Sequence, residues 1–347
     1  MNLFDYARPT TVEEAIAAWA PGASYLAGGT NLVDLMKTGV MQPGKLIDLN
    51  RLAGLDRIES LANGDTRVGA LVRNADLAHD AGFARAFPMV AEALLSGASG
   101  QLRNAATVGG NLMQRTRCAY FQDAHSACNR RTPGAGCDAR GGDNATMAVL
   151  GWSDSCIATN PSDFGVALAA LDAVVEVEGP QGSREIAFAD FHLLPGQTPD
   201  RETALAQGEL VVAVRLPAAS AQLRHHSRYL KLRERTSYAF ALVSAAAALR
   251  LEDGHIVEAR LALGAVAARP WRANDAEALL IGQTPSDELF KRAADVALTG
   301  ATPSGDNAHK IELARRTAAR ALALAAIGTP KRMPAFPASL FGEHAHV

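Results

Sequence analysis

All four cysteines of this 347-residue chain, Cys118, Cys128, Cys137 and Cys156, lie in one stretch, 97–165, just after the glycine-rich TVGGN at 107–111. Their separations of 10, 9 and 19 positions contain no CxxC, so zinc-ribbon and thioredoxin-type arrangements fail on spacing. The intervening sequence is short of apolar residues and rich in Gly, Arg, Asp and Asn. Such a loop cannot order itself by burying a core. Four thiolates around one inorganic centre would hold it. A zinc ion and a [4Fe–4S] cubane both accommodate these separations. Arg115, Arg117, Arg130 and Arg131 flank the cysteines and are expected to offset the negative charge of a ligated centre. Two disulfides would be the other use of four cysteines, but a domain this large hardly needs them and nothing else marks the chain as secreted.

Two glycine turns share one design. The first comprises Leu26, Ala27, Gly28, Gly29, Thr30, Asn31 and Leu32; it follows a short strand candidate and opens a helical pattern ending at Gly39. The second offers Thr107, Gly109, Gly110 and Asn111. Bare glycines let the backbone approach a diphosphate, and the helix start behind them presents unpaired N–H groups. Either turn alone reads equally well as a plain strand-to-helix connection. Two in one domain point to a dinucleotide, whose pyrophosphate and ring system need separate loops. The chain has no GxGxxG and no P-loop, so Rossmann and Walker-type sites find no support.

The length allows two or three domains. Residues 1–60 read as a small α/β unit in which Thr10 or Thr11 caps a helix with Val12, Ala15, Ile16 and Trp19 on one face. Residues 61–183 continue as a second α/β unit: 67–80 as a strand with a polar turn, 87–99 as a helix closed by Gly97, and 164–182 as helix, strand and turn, with the cysteine insertion at 115–158. From 184 to 328 the pattern changes to strand-like runs (208–217, 224–254, 254–270) followed by three helices, which predicts a separate α+β domain with an antiparallel sheet. The remaining 329–347 reads as an extended tail with Phe336, Leu340 and Phe341 as apolar anchors, and with His344 and His346 in a solvated terminus. A net charge of −2 implies neither nucleic acid nor an anionic membrane as partner. No apolar run is long enough for a membrane span, and no signal peptide is visible. The expected compartment is the cytoplasm, with the periplasm open to a chain exported inside a folded complex.

AGGTNLVDLMK (27–37), LRNAATVGGNLMQ (102–114), PSDFGVALAALDA (161–173) and SYAFALVSAAAAL (237–249) together resemble the FAD-binding medium subunit of the molybdenum hydroxylases, the xanthine dehydrogenase, carbon monoxide dehydrogenase and aldehyde oxidoreductase enzymes. The resemblance covers about 1–328. Most members pass directly from the GGN turn to the Pro-Ser-Asp segment. Here RTRCAYF, ACNRR, GAGC and SDSCIAT intervene, similar to the flavoprotein subunit of the bacterial periplasmic-type aldehyde oxidoreductase, which carries an extra [4Fe–4S] cluster.

The resemblance implies an α+β fold: a two-part FAD-binding domain of the PCMH/vanillyl-alcohol-oxidase type, then a C-terminal domain of the CO dehydrogenase flavoprotein type. It implies that residues 26–32 wrap the FAD pyrophosphate, with Thr30 and Asn31 adding side-chain bonds, and that Thr107, Gly110 and Asn111 complete the cradle. Asp163 would bind ribityl or ribose hydroxyls, Leu210 or Val211 would lie against the ring system, and Lys231 would approach the polar edge of the isoalloxazine. Cys118, Cys128, Cys137 and Cys156 would hold the [4Fe–4S] cluster, a reading the resemblance favours over zinc. Where some relatives place an aromatic beside the flavin this chain has Gly97 and Ala98, so stacking must come from elsewhere or be absent. The implied role is electron transfer in a heterotrimeric aldehyde oxidoreductase. A large molybdenum-cofactor subunit would oxidise aldehyde to carboxylic acid, a small [2Fe–2S] subunit would pass electrons here, and FAD would release them to an external acceptor. No residue of this chain would be a catalytic acid or base. The alternatives are the flavoprotein of another molybdenum hydroxylase (xanthine dehydrogenase, CO dehydrogenase or hydroxybenzoyl-CoA reductase type), a stand-alone FAD oxidoreductase with a structural zinc loop, and a scaffold without redox role.

Overall fold

A computed structural model describes residues 1–331. The expected anchors Phe336, Leu340 and Phe341, with His344 and His346, fall outside the described residues. Among those described, no helix is long and apolar enough to cross a membrane.

The described residues include twelve strands in three sheets. The first is parallel, with β1 (Asp5–Ala7), β2 (Ala23–Leu26) and β3 (Lys45–Asp48) in the order β1-β3-β2. Thr11 caps the Val12–Ala17 helix in a full capping box with Glu14, as the Thr-x-x-Glu spacing predicts. The second sheet is antiparallel. Its strands are β4 (Ile58–Ser60), β5 (Thr66–Gly69), β6 (Val174–Gly179), β7 (Gly182–Ala187) and β8 (Leu210–Leu216), in the order β4-β5-β8-β6-β7. The third sheet, β12-β11-β10-β9, comprises β9 (Ser227–Leu232), β10 (Val243–Glu252), β11 (His255–Gly264) and β12 (Trp271–Arg272).

β10 explains how the units join. Its Ala245, Ala247 and Leu249 bury into the core shared with the helices Asn274–Leu280, Asp287–Ala297 and His309–Ile327. The alternate Ala246 and Ala248 bury into the core of the second sheet, beside residues of the Pro88–Ser96 and Asp163–Ala170 helices. A strand covered on both faces loses the polar/apolar alternation and reads as a continuous apolar run. Small alanines suit two packed faces at once.

Three sequence expectations need correction. The 208–217 strand does not belong to the C-terminal sheet: β8 lies between β5 and β6, and it registers Val214 against both Val68 and Val175. The expected boundary at 183/184 therefore cuts the β6–β7 hairpin, and the change of unit falls between β8 and β9. A continuous apolar run announces a buried strand without naming its sheet. Next, the polar turn expected in 67–80 contains a helix, Asn74–His79, because Leu77 and Ala78 turn into the core. Finally, the cysteine insertion has a small core of its own, where Phe121, Ala139, Met147 and Ile157 pack with the thiols against Leu35 and Val40.

Candidate functional site

The two glycine turns meet face to face. Gly29 adopts a φ of +72°, which L side chains rarely take, as the chain leaves β2 for the Leu32–Lys37 helix. A Cβ on Gly28 would come within 2.0 Å of the Ala105 carbonyl oxygen, just before the second turn. In that turn Thr107 caps the Val108–Leu112 helix by accepting the Gly110 N–H at 3.1 Å.

The paired turns divide one long cleft into two chambers. The first, about 430 Å³, is lined by residues 24–32 with Leu71, His192, Leu210 and Val211. The second, about 500 Å³, is lined by Gly97, Ala98, Arg117, Asp163, Tyr238 and Phe240. Both volumes suit a small-molecule site. Thr30, Asn31, Gly110 and Gln114 line both chambers. Asn31 Oδ1 accepts the Arg115 backbone N–H at 2.8 Å, while its Nδ2 is buried with no hydrogen-bond partner among the described residues. A buried donor at the junction, beside glycines that admit no side chain, fits an acceptor-rich linker such as a pyrophosphate.

Every residue expected to hold FAD lines this cleft except Lys231, which stands behind Asp163. Ser162, not Asp163, caps the Asp163–Ala170 helix, accepting the Gly165 N–H at 3.0 Å. The Asp163 carboxylate is held by the Tyr229 hydroxyl at 2.5 Å and by Lys231 Nζ at 2.8 Å, and Lys231 also donates to the Ser96 carbonyl at 3.1 Å. Burial, with Asp163 beside it, pushes the Tyr229 hydroxyl well above its ordinary pKa. Asn111 Oδ1 accepts from Ser162 Oγ at 2.8 Å, which ties the second turn to this helix. Leu210 and Val211 line the first chamber, whereas Asp163 lines the second. Leu210 and Val211 thus stand on one side of the paired turns, and Asp163, with Lys231 behind it, stands on the other. In the first chamber His192 donates from Nε2 to the Leu112 carbonyl at 3.0 Å, leaving Nδ1 buried without a partner. Burial pulls its pKa down to about 4, so the ring is neutral.

The four cysteines line one small cavity with Tyr120, Phe121 and Arg130. Cys128 and Cys137 face each other across an antiparallel bridge, and Cys156 pairs with Ser153 in a second. All four are free thiols, so the disulfide alternative is not what the structure shows. Burial pushes the Cys118 thiol up to about 11 and raises Cys137 as well, so these groups stay protonated unless a cation draws them into the thiolate form. No three His, Cys, Asp or Glu side chains among the described residues converge as they would on a single metal ion.

The expected charge partners separate into different tasks. Only Arg130 reaches a sulfur, with Nη2 3.6 Å from Cys156 Sγ. Arg131 donates to the carbonyls of Tyr120, Phe121 and Ser126 and staples the loop. Arg117 lies over the Phe240 ring, 5.1 Å from its centroid, in the second chamber. Arg115 stacks on Phe121 and pairs with Glu202. Tyr238, Phe240, Arg117, His192 and Glu202 are site residues that sequence reasoning did not assign to the cleft. The SYAF motif held a signal for two of them, since aromatics beside a loop of Arg and Ser stand outside a strand's alternation.

A family model described as "FAD binding domain in molybdopterin dehydrogenase" matches residues 2–219, and "CO dehydrogenase flavoprotein C-terminal domain" matches 228–329. The chain belongs to this family of FAD-binding oxidoreductase subunits. It is 50% identical over 328 residues to the aldehyde oxidoreductase FAD-binding subunit PaoB of Escherichia coli K12, covering 93% of this chain and 98% of that protein. It is 26% identical to the carbon monoxide dehydrogenase medium chain of Afipia carboxidovorans, covering 87% and 88%. Among solved structures, quinoline 2-oxidoreductase from Pseudomonas putida 86 matches with a TM-score of 0.72 at 26% identity, covering 94% of this chain and 99% of that one. The carbon monoxide dehydrogenase of Hydrogenophaga pseudoflava matches at 0.73 and 27%, covering 93% and 97%. The fold is that of the family's medium subunits, an FAD-binding domain followed by an antiparallel sheet with helices. The two family segments divide between β8 and β9, in agreement with the sheets.

Proposed function

We propose that this chain is the FAD- and [4Fe–4S]-containing subunit of a molybdenum-dependent aldehyde oxidoreductase. On this reading a large molybdenum-cofactor subunit oxidises the aldehyde, a small [2Fe–2S] subunit delivers electrons here, and an external acceptor removes them. The observation that carries it is the paired glycine turns with a chamber on either side and an unsatisfied Asn31 amide between them. The 50% identity with an aldehyde oxidoreductase subunit supports the substrate class.

The residues suit FAD laid across the turns. Backbone N–H groups at the two helix starts, with Thr30 and Asn31, hold the pyrophosphate. Leu210 and Val211 would lie against a ring system in the first chamber. In the second, Tyr238 and Phe240 would supply aromatic faces absent at Gly97 and Ala98, and Asp163, held from behind by Lys231, would take ribityl or ribose hydroxyls. Bound there, FAD supplies the exchange between two-electron and one-electron chemistry. This chain's own residues bind and orient it, and none acts as acid or base on the aldehyde.

Four thiols around one cavity support a single inorganic centre held by all of them. The visible spectrum of the anaerobically purified native complex, with iron, sulfide and zinc analysis, tests both cofactors. The expected result is flavin bands with about four irons and four sulfides per chain, one cubane. Flavin with one zinc and no sulfide sinks the cluster, and a colourless protein sinks the whole reading.

A further inference from the structure

Arg130 is buried, its side chain 4% exposed, and it lines both the cysteine cavity and the first chamber of the cleft. Its Nη1 pairs with Glu202 Oε2 at 2.8 Å while Nη2 reaches Cys156 Sγ at 3.6 Å. The Cys156 sulfur takes a second donor, the Ala158 N–H at 3.5 Å, while backbone N–H groups of Tyr120 and Phe121 face Cys118 and those of Arg140 and Ile157 face Cys137, so Arg130 is the charged donor among them. Glu202 is itself clamped from the other side by Arg115. The carboxylate thus fixes the guanidinium in one place. A buried cation is retained only where anions compensate it. Glu202 already faces two arginines, so its single charge is shared, and Arg130 has charge to spare for the sulfur.

We propose that Arg130 is a positioning residue that raises the reduction potential of the centre held by the four cysteines, by hydrogen-bonding the Cys156 sulfur from a place locked by Glu202. This rests on the [4Fe–4S] reading above. The electrostatics are direct. Reduction adds one electron to the cluster and hence one negative charge, with no proton required. A guanidinium that stays protonated at every accessible pH stabilises the reduced form. Hydrogen bonds to ligand sulfurs act in the same direction. Glu202 opposes Arg130 in charge while holding it in position. Lysine keeps the charge but cannot fork between a carboxylate and a sulfur.

The test is a dithionite titration of the intact complex followed by electron paramagnetic resonance, with iron and sulfide counted in the same samples. Arg130→Met is expected to keep its iron and to be reduced at lower potential. Arg130→Lys should fall between Arg130→Met and wild type. Glu202→Gln, which leaves Arg130 uncompensated, should move the potential the opposite way. An unchanged potential in an Arg130→Met protein with full iron overturns the inference while leaving the cluster in place. Should Arg130→Met lose its iron, the other two variants decide: unmoved potentials in both overturn the inference, and shifts of opposite sign uphold it. Wild-type protein without iron and sulfide overturns the cluster reading itself and this inference with it.

Discussion

Gly28 accepts no side chain because its Cα faces the Ala105 carbonyl, so the two halves of the nucleotide cradle touch there through backbone alone. Gly28→Ala must push the turns apart, at about 2 kcal/mol for forced overpacking. The expected outcome is protein that folds with a lower Tm and leaves gel filtration with much of its flavin lost. Full flavin content with unchanged Tm would contradict the close approach. This position was legible as a glycine turn, but its partner was not, because contact between residues 28 and 105 is a product of the fold. His192 was not legible at all, since a histidine between Phe191 and Leu193 reads as an ordinary core position. Its burial lets the folded state stay neutral down to about pH 4, while the unfolded chain takes up a proton near 6.5. Below pH 6.5 the unfolded state therefore binds more protons, and stability falls as pH drops toward 4. Thermal melts at pH 7 and pH 4.5 should show a smaller acid loss for His192→Gln than for wild type.

The loop between β9 and β10 carries Tyr238 and Phe240, more than half exposed, at the mouth of the second chamber. Tyr238 holds a φ of +51° and Arg235 lies 5.6 Å from its ring, while Arg117 covers Phe240. Aromatic stacking on a bound ring adds roughly 1 kcal/mol per pair. Replacing both residues with Ala should weaken retention of the bound FAD on gel filtration, whereas an unchanged flavin content would remove this loop from the site. Alternation correctly gave β9 and β10 as strands. It marked the aromatic pair between them only as standing outside that alternation, and could not place the pair at the mouth of a chamber built from distant segments. The same limit displaced β8 into the wrong unit, since strand pairing at long range leaves no local trace.

Across the whole molecule, one buried lysine joins three parts. Lys310, at the start of the long C-terminal helix, donates to the carbonyls of Thr146 and Met147 in the cysteine insertion and of Ala265 after β11, at 2.6, 2.9 and 2.7 Å. Asn307 adds bonds to Met147 and Ala148. In the sequence Lys310 belongs to the polar face of an amphipathic helix, and nothing nearby announces that its acceptors lie far away along the chain. Lys310→Met leaves three carbonyls without a donor, a loss of roughly 3 kcal/mol. Calorimetry should then resolve the unfolding into two transitions, the insertion and flavin domain apart from the C-terminal domain, where wild type gives one; a single unshifted transition would deny the lysine this part. The insertion is also fastened at its feet. Residues 114–116 and 159–161 both line the first chamber, and Thr116 Oγ1 bonds the Thr159 carbonyl at 3.0 Å. On the cluster reading proposed above, this couples the two cofactor sites. The walls of the flavin chamber and the walls of the thiol cavity are then one piece of chain, and loss of the centre should be felt as loosened flavin as well as lost metal.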